Sequence, residues 1–159
     1  MDIALRFTDV GIDFAIEDGD LAVDRGFRTP VLVSLFSDAR IEDPADLVYP
    51  ETDPRGWWAD EFQDSRMGST LWLYDRAKIT KGTVADVRDA GEVGLEWFLR
   101  EGFAGDISVE VQRLNRESLL MRVELDRGES SRGADLWEAM AAEILTFETP
   151  LLQVQLLTR

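Results

Sequence analysis

Between residues 83 and 125 the spacing of apolar residues changes from three and four to two, and that change constrains the fold more than any other feature. Val84, Val87, Gly91, Leu95 and Phe98 recur at helical spacing and mark one face of a helix predicted over 83–101. Arg88, Glu92, Glu96 and Arg100 line another face four residues apart, each opposite-charge pair contributing about 0.2–0.5 kcal/mol. Thr80 is placed to cap the start, and Gly102 to end the helix in left-handed backbone. Gly82, Gly91 and Gly94 each lower helix propensity by ~1 kcal/mol relative to alanine, which predicts close backbone packing at those positions. Next, Ile107, Val109 and Val111 alternate with Ser108, Glu110 and Gln112. Past a turn near Asn115, Leu119, Met121, Val123 and Leu125 alternate with Leu120, Arg122 and Glu124. That is a hairpin with one core face and one mostly wet face.

The remaining segments extend this to an α+β fold in a single domain over 1–159. "IDFAIEDGDLAVD" alternates Ile12, Phe14 and Ile16, turns at Asp18-Gly19 and resumes with Leu21 and Val23, a strong hairpin signal. A calcium loop through Asp18, Asp20 and Asp24 lacks the later glycine and the glutamate that an EF-hand needs, so the plain turn is preferred. "RTPVLVSLFSDAR" reads as a helix with Thr29 as N-cap and Pro30 at its first position. Its core stripe is Val31, Leu32, Leu35, Phe36 and Ala39, and it ends before Pro44. Residues 41–68 read as a long irregular loop. "STLWLYDRAK" returns to the core as either a short helix or a strand. Residues 127–133 read as a loop, 135–145 as an amphipathic helix through Leu136, Trp137, Met140, Ala141, Ile144 and Leu145, and "LLQVQLL" as a closing strand. The expected architecture is a mainly antiparallel sheet from two hairpins, with that strand, packed against two or three helices.

Composition narrows the chemistry. The 159 residues include no cysteine and no histidine, which removes disulfides, thiol nucleophiles, the Ser-His-Asp triad and ordinary zinc sites. No P-loop, G-x-G-x-x-G, G-x-S-x-G or S-x-x-K occurs. A net charge of -15 makes free nucleic acid a poor partner, although it permits a DNA-mimic reading. The N-terminal stretch has no basic n-region, so no signal peptide is predicted, and no apolar run reaches the ~20 residues of a membrane span.

Much of the charge is local. Residues 38–64 carry Asp38, Glu42, Asp43, Asp46, Glu51, Asp53, Asp60, Glu61 and Asp64 against Arg40 and Arg55. Inside this acidic loop, "RGWWADEF" sets Trp57 beside Trp58. Adjacent side chains on extended backbone point to opposite sides. One ring packed under the loop and one turned outward as an interface anchor is therefore the expected split. The rival is a lysozyme-like cell-wall glycosidase using Asp60, Glu61 or Asp64 beside the two rings. With 32 acids in the chain, carboxylates near any chosen aromatic are expected by chance.

"RGWWADEF" followed by "GSTLWLYDRAKIT" resembles the signature of a baseplate protein family of Mu-like contractile-tailed phages and prophages. "DIALRFTDVGIDFAIEDGDLAVD" and "TPVLVSLFSDAR" are similar to it too, so the resemblance runs over roughly 1–126. It implies a structural wedge component related to the small acidic "lysozyme-like" baseplate proteins of other contractile tails, not an enzyme, with no cofactor or metal. It further implies other wedge subunits and the tail sheath protein as partners, with neither nucleic acid nor membrane among them. The location implied is the host cytoplasm during assembly and then the virion. Its mechanical mode would be β-augmentation, an incoming strand completing a sheet edge. The signature residues are Arg55, Gly56, Trp57, Trp58, Gly68, Ser69, Leu71 and Trp72.

Overall fold

A computed structural model describes residues 2–8, 11–24, 26–43, 47, 53–62, 66–128, 145–148 and 152–158. Six short strands open the chain: β1 (Asp2–Ile3), β2 (Leu5–Thr8), β3 (Gly11–Phe14), β4 (Ile16–Glu17), β5 (Asp20–Leu21) and β6 (Val23–Asp24). They pair antiparallel as β1 with β6, β2 with β3 and β4 with β5. The predicted Asp18-Gly19 turn is present, with both residues in left-handed backbone (φ 52° and 85°). Where the three ladders meet, Ala4 N–H donates to Ala22 O (2.8 Å), Ala22 N–H to Ala15 O (2.9 Å) and Ala15 N–H to Ala4 O (2.8 Å). These three bonds close a ring and join the ladders into one thin plate.

Helix α1 (Arg28–Phe36) follows. Its N-cap is Phe27, not Thr29, and Pro30 is the third helical residue rather than the first. The orphan amides at this end are met by Asp24, whose carboxylate accepts from Gly26 N–H (2.8 Å) and Thr29 N–H. Thr29 instead donates its hydroxyl to Ile3 O (3.1 Å), tying helix to plate. Asp24 thus serves as a cap, which also accounts for one carboxylate of the discarded calcium string. Val31, Leu32 and Leu35 are buried as the stripe required. The helix stops at Phe36, well short of Pro44, because Ser37 turns extended and its carbonyl accepts from Ser69 N–H (2.9 Å). "LWLY" resolves into a 3-10 turn, Leu71–Tyr74.

The predicted 83–101 helix is α2 (Lys81–Leu95) followed directly by α3 (Trp97–Arg100), joined through Glu96 in helical backbone. Thr80 caps α2 in a reciprocal box with Thr83: Thr83 N–H donates to Thr80 Oγ1 (3.1 Å) and Thr80 N–H to Thr83 Oγ1 (3.3 Å). Gly102 ends α3 at φ 73°. A Cβ on Gly91 would lie 2.9 Å from Met121 Cε, and one on Gly94 2.8 Å from Ser69 Cβ, so both mark close packing. Gly82 does not: its nearest neighbour would be Thr80 Oγ1 at 3.6 Å, an ordinary contact.

The sheet has the order β7 (Asp106–Arg113), β8 (Leu119–Asp126), β10 (Leu152–Thr158), β9 (Leu145–Glu148). The fold is α+β, as its sequence indicates, but the strands divide differently from expectation. Only the second hairpin, β7–β8, enters this sheet; the first belongs to the plate. The C-terminal strand β10 runs parallel to β8, with Leu152 opposite Leu119 and Thr158 opposite Leu125, and antiparallel to β9. A parallel neighbour needs a crossover of a dozen or more residues, and 127–151 supply the length. The helix predicted over 135–145 falls outside the described residues except for Leu145, which opens β9 instead. Leu119, Met121, Val123 and Leu125 of β8 pack with Leu32 and Leu35 of α1, Leu95 of α2 and an aromatic group of Phe27, Phe98 and Phe103. Phe27 stands edge-on to Phe98 at 5.6 Å, a favoured quadrupole geometry.

Candidate functional site

Segment 53–62 lies against the exit of α1, held by a set of short local contacts. Ile41 N–H donates to Pro54 O (3.0 Å), and Arg40 Nη1 donates to Arg55 O (3.3 Å). Arg55 itself adopts left-handed backbone (φ 56°), with its N–H held by Asp53 Oδ1 at 2.9 Å. Its guanidinium donates to Asp38 Oδ2 (2.7 Å) and lies 4.3 Å from the Trp72 ring centroid. Exposed ion pairs contribute about 0.2–1 kcal/mol and exposed cation–π contacts about 0.5–1 kcal/mol, so this cluster orients the loop more than it stabilises the fold. Trp72 contributes its edge as well, donating Nε1–H to Ala39 O at 3.0 Å.

Two glycines let the chain come this close. Gly56 sits at φ 102°, and a Cβ there would lie 2.6 Å from Arg40 Cβ. Gly68 sits at φ 99°, against the Ser37 carbonyl. The Gly68 turn brings Ser69 beside Asp38 in a single parallel bridge, with Ala39 N–H donating to Ser69 O at 2.9 Å. Ser69 is fully enclosed and satisfied: its hydroxyl donates to Leu35 O (2.6 Å) and accepts from Leu71 N–H (3.2 Å). Leu71 is buried beneath it.

Residues Trp58–Phe62 form a 3-10 turn whose Ala59 points inward. Asp60 secures the turn, accepting from Trp57 N–H (3.3 Å) on one carboxylate oxygen and from Met67 N–H (3.1 Å) on the other. Trp57 is half-buried, whereas Trp58 is 76% exposed, the division expected for adjacent rings. The rings stand 5.8 Å apart, and Phe62, 79% exposed, continues the row 6.4 Å beyond Trp58. Beside them lies an open depression of about 360 Å³ lined by Arg40, Arg55, Trp57, Trp58, Asp60 and Glu61. Partial burial raises the Asp75 carboxyl above its ordinary value; Arg55 and Arg76 oppose this, and Asp38 adds to it.

All eight signature residues therefore lie in or directly around this loop. Arg55, Gly56, Gly68, Ser69, Leu71 and Trp72 fasten it, Trp57 is shared, and Trp58 faces solvent. Phe62 was not among them, though it lies four residues beyond Trp58 in the same aromatic string. Asp38, Arg40 and Ala39 were also missed, since only folding brings them to the loop. Among the carboxylates proposed for glycosidase chemistry, Asp60 uses both oxygens on backbone amides, Glu61 is exposed, and Asp64 lies outside the described residues. Among the described residues, no three acidic groups converge on a possible metal position, and no helix is long and apolar enough to cross a membrane.

The segment that builds this site lies within a stretch that matches a known family. A model of the family described as phage protein GP46 matches residues 27–132. The chain belongs to the GP46 family. It is 35% identical over 124 residues to the baseplate protein gp46 of Escherichia phage Mu, an alignment covering 78% of this chain and 86% of the phage Mu protein. The GP46 match begins at Phe27, runs through α1, the loop and α2, and ends beyond β8. It includes all eight signature residues.

Proposed function

We propose that this chain is a non-enzymatic structural subunit of a Mu-like tail baseplate, with residues 1–159 acting as one wedge-like domain. It assembles in the host cytoplasm, becomes part of the virion, contacts larger wedge subunits through the aromatic loop and helps nucleate the sheath. One observation carries the reading: Trp58 and Phe62 are held out in solvent on a loop whose backbone is tied down at Arg40, Ile41 and Asp60. Exposed aromatics cost solubility unless a partner covers them, and a pre-ordered loop loses little entropy on docking. Tryptophan is among the residues that most often dominate such contacts.

A sheet edge is the element that would meet the sheath. The outer strands of the four-stranded sheet are β7 and β9, and among the described residues each has one side free to accept an added strand from the sheath arm. The acidic surface supports solubility before assembly, since like charges oppose edge-to-edge association.

Trp58→Ala tests the loop. Because the ring is exposed, thermal stability should shift by less than about 0.5 kcal/mol. Incorporation into purified tails should nevertheless fall, and cross-linking mass spectrometry of wild-type particles should join residues near 53–62 to a wedge subunit. Tails of normal yield that contain the Trp58→Ala variant would overturn the docking role.

A further inference from the structure

The N-terminal plate has an apolar face that the described structure covers only in part, at Leu5, which packs against the core. Ile3 stands opposite Val23, Phe14 opposite Leu5 and Ile16 opposite Leu21. Opposed residues share a face, and residues two apart along an extended chain do so as well. Ile3, Ile12, Phe14, Ile16, Leu21 and Val23 therefore crowd one side of the plate, and all are 40–61% exposed. Ala22, of opposite parity, is buried where the three ladders meet. The hydroxyl bond from Thr29 to Ile3 O and the Asp24 carboxylate at the start of α1 fasten that corner.

Short two-stranded ladders are marginal in water unless another layer packs on them. Six large apolar side chains on three such ladders are a surface of the kind that marks an interface. We propose that this face docks on an apolar patch of a different tail subunit, one bordered by lysine or arginine. Charge selects that occupant. Residues 2–24 hold seven carboxylates and one arginine, Arg6. Those on the described strands lie on the reverse of a single-layer sheet or at its Asp18-Gly19 tip, within about one Debye length (~8–10 Å) of anything seated on the apolar face. A second copy would bring the same negative field with it, at a net charge of -15 per chain. A basic-bordered partner gains from that field and a copy loses by it. The plate is then a second docking surface, distinct from the aromatic loop, and the inference rests on the baseplate reading.

The chain has two lysines, Lys78 and Lys81, which makes a zero-length carboxyl-to-amine coupling informative. Tails purified from induced cells would be coupled and digested. Glu17, Asp18 or Asp20 should be joined to lysines of another tail protein. The double variant Phe14→Ser with Ile16→Ser, purified alone, should keep its melting temperature, yet its recovery in tails should fall roughly tenfold or more, as for an interface hot spot. Should that pair disturb folding, Leu21→Ser provides the same measurement with one exposed change. Plate carboxylates linked only to Lys78 or Lys81, or left uncoupled in tails that contain the protein, would overturn the docking face and leave the baseplate reading intact. Normal recovery of the folded variant would do the same. Absence of the wild-type chain from tails would overturn both.

Discussion

The two hairpin regions of this protein carry the same alternation and meet opposite fates. In β8, Leu119, Met121, Val123 and Leu125 are all buried, with α1 and α2 packed over the sheet. In the plate, Phe14, Ile16, Leu21 and Val23 alternate just as regularly and face solvent. The difference lies in what comes next along the chain. The β7–β8 hairpin follows a long amphipathic helix whose glycines admit close packing. The plate is followed by α1, which spends its apolar stripe on that same core. Period 2 states which side chains share a face; it does not say whether another element will reach that face.

The contrast is open to direct attack. The largest effect should come from Leu125→Ala, which empties a fully buried site and should cost about 2–5 kcal/mol in urea unfolding. Ile16→Ala in the plate should change stability by less than about 0.5 kcal/mol. Similar losses at the two positions would mean the plate is as well covered as the core. Next is the seam between α1 and the loop. Gly68→Ala demands a left-handed alanine facing the Ser37 carbonyl and should lose at least about 1–3 kcal/mol, read as a lower melting temperature.

Gly94→Ala and Gly91→Ala sharpen the point within one helix. Each gains about 1 kcal/mol of helix propensity. At Gly94 the new methyl meets Ser69 Cβ and the Ser34 carbonyl oxygen, which have little room to move, so overpacking of about 1–3 kcal/mol should win. At Gly91 it meets the end of the Met121 side chain, which can swing away, and the net change should be near zero. Equal losses would show that Met121 is as fixed as the backbone.

The smallest effect is electrostatic. Asp75 titrates above its ordinary 3.8 in the folded protein because burial disfavours its charge. A carboxyl that holds its proton more tightly when folded makes stability fall as pH rises from 3.8 through its folded-state value, and leaves the cost in place above it. Asp75→Asn should flatten that slope and slightly raise the melting temperature at neutral pH. An unchanged pH profile would place the carboxyl in ordinary solvent.

Local signals were legible wherever a bond closes within a few residues. Thr80 caps α2 through Thr83, Asp18-Gly19 turns the plate hairpin, and Gly102 ends α3, all over distances that a sequence pattern can express. The α1 cap escaped because Thr29 has the right chemistry, but Asp24, five residues earlier, reaches the amide first. The loop was legible as an aromatic element with one ring turned outward, through Trp57 and Trp58. Its fastening to Asp38, Ala39 and Arg40 was not, since those contacts span about fifteen to thirty-three residues.

By itself the sequence determined the α+β class, the β7–β8 hairpin with its buried face, the split of the Trp pair and the family signature, all of which rest on periodicity or on near neighbours. Tertiary structure alone decided that β10 enters parallel beside β8, that the first hairpin stays outside the four-stranded sheet, and that most of its apolar face stays open. Those outcomes depend on which surfaces reach each other once the chain has closed, and alternation within one strand carries no information about the layer above it.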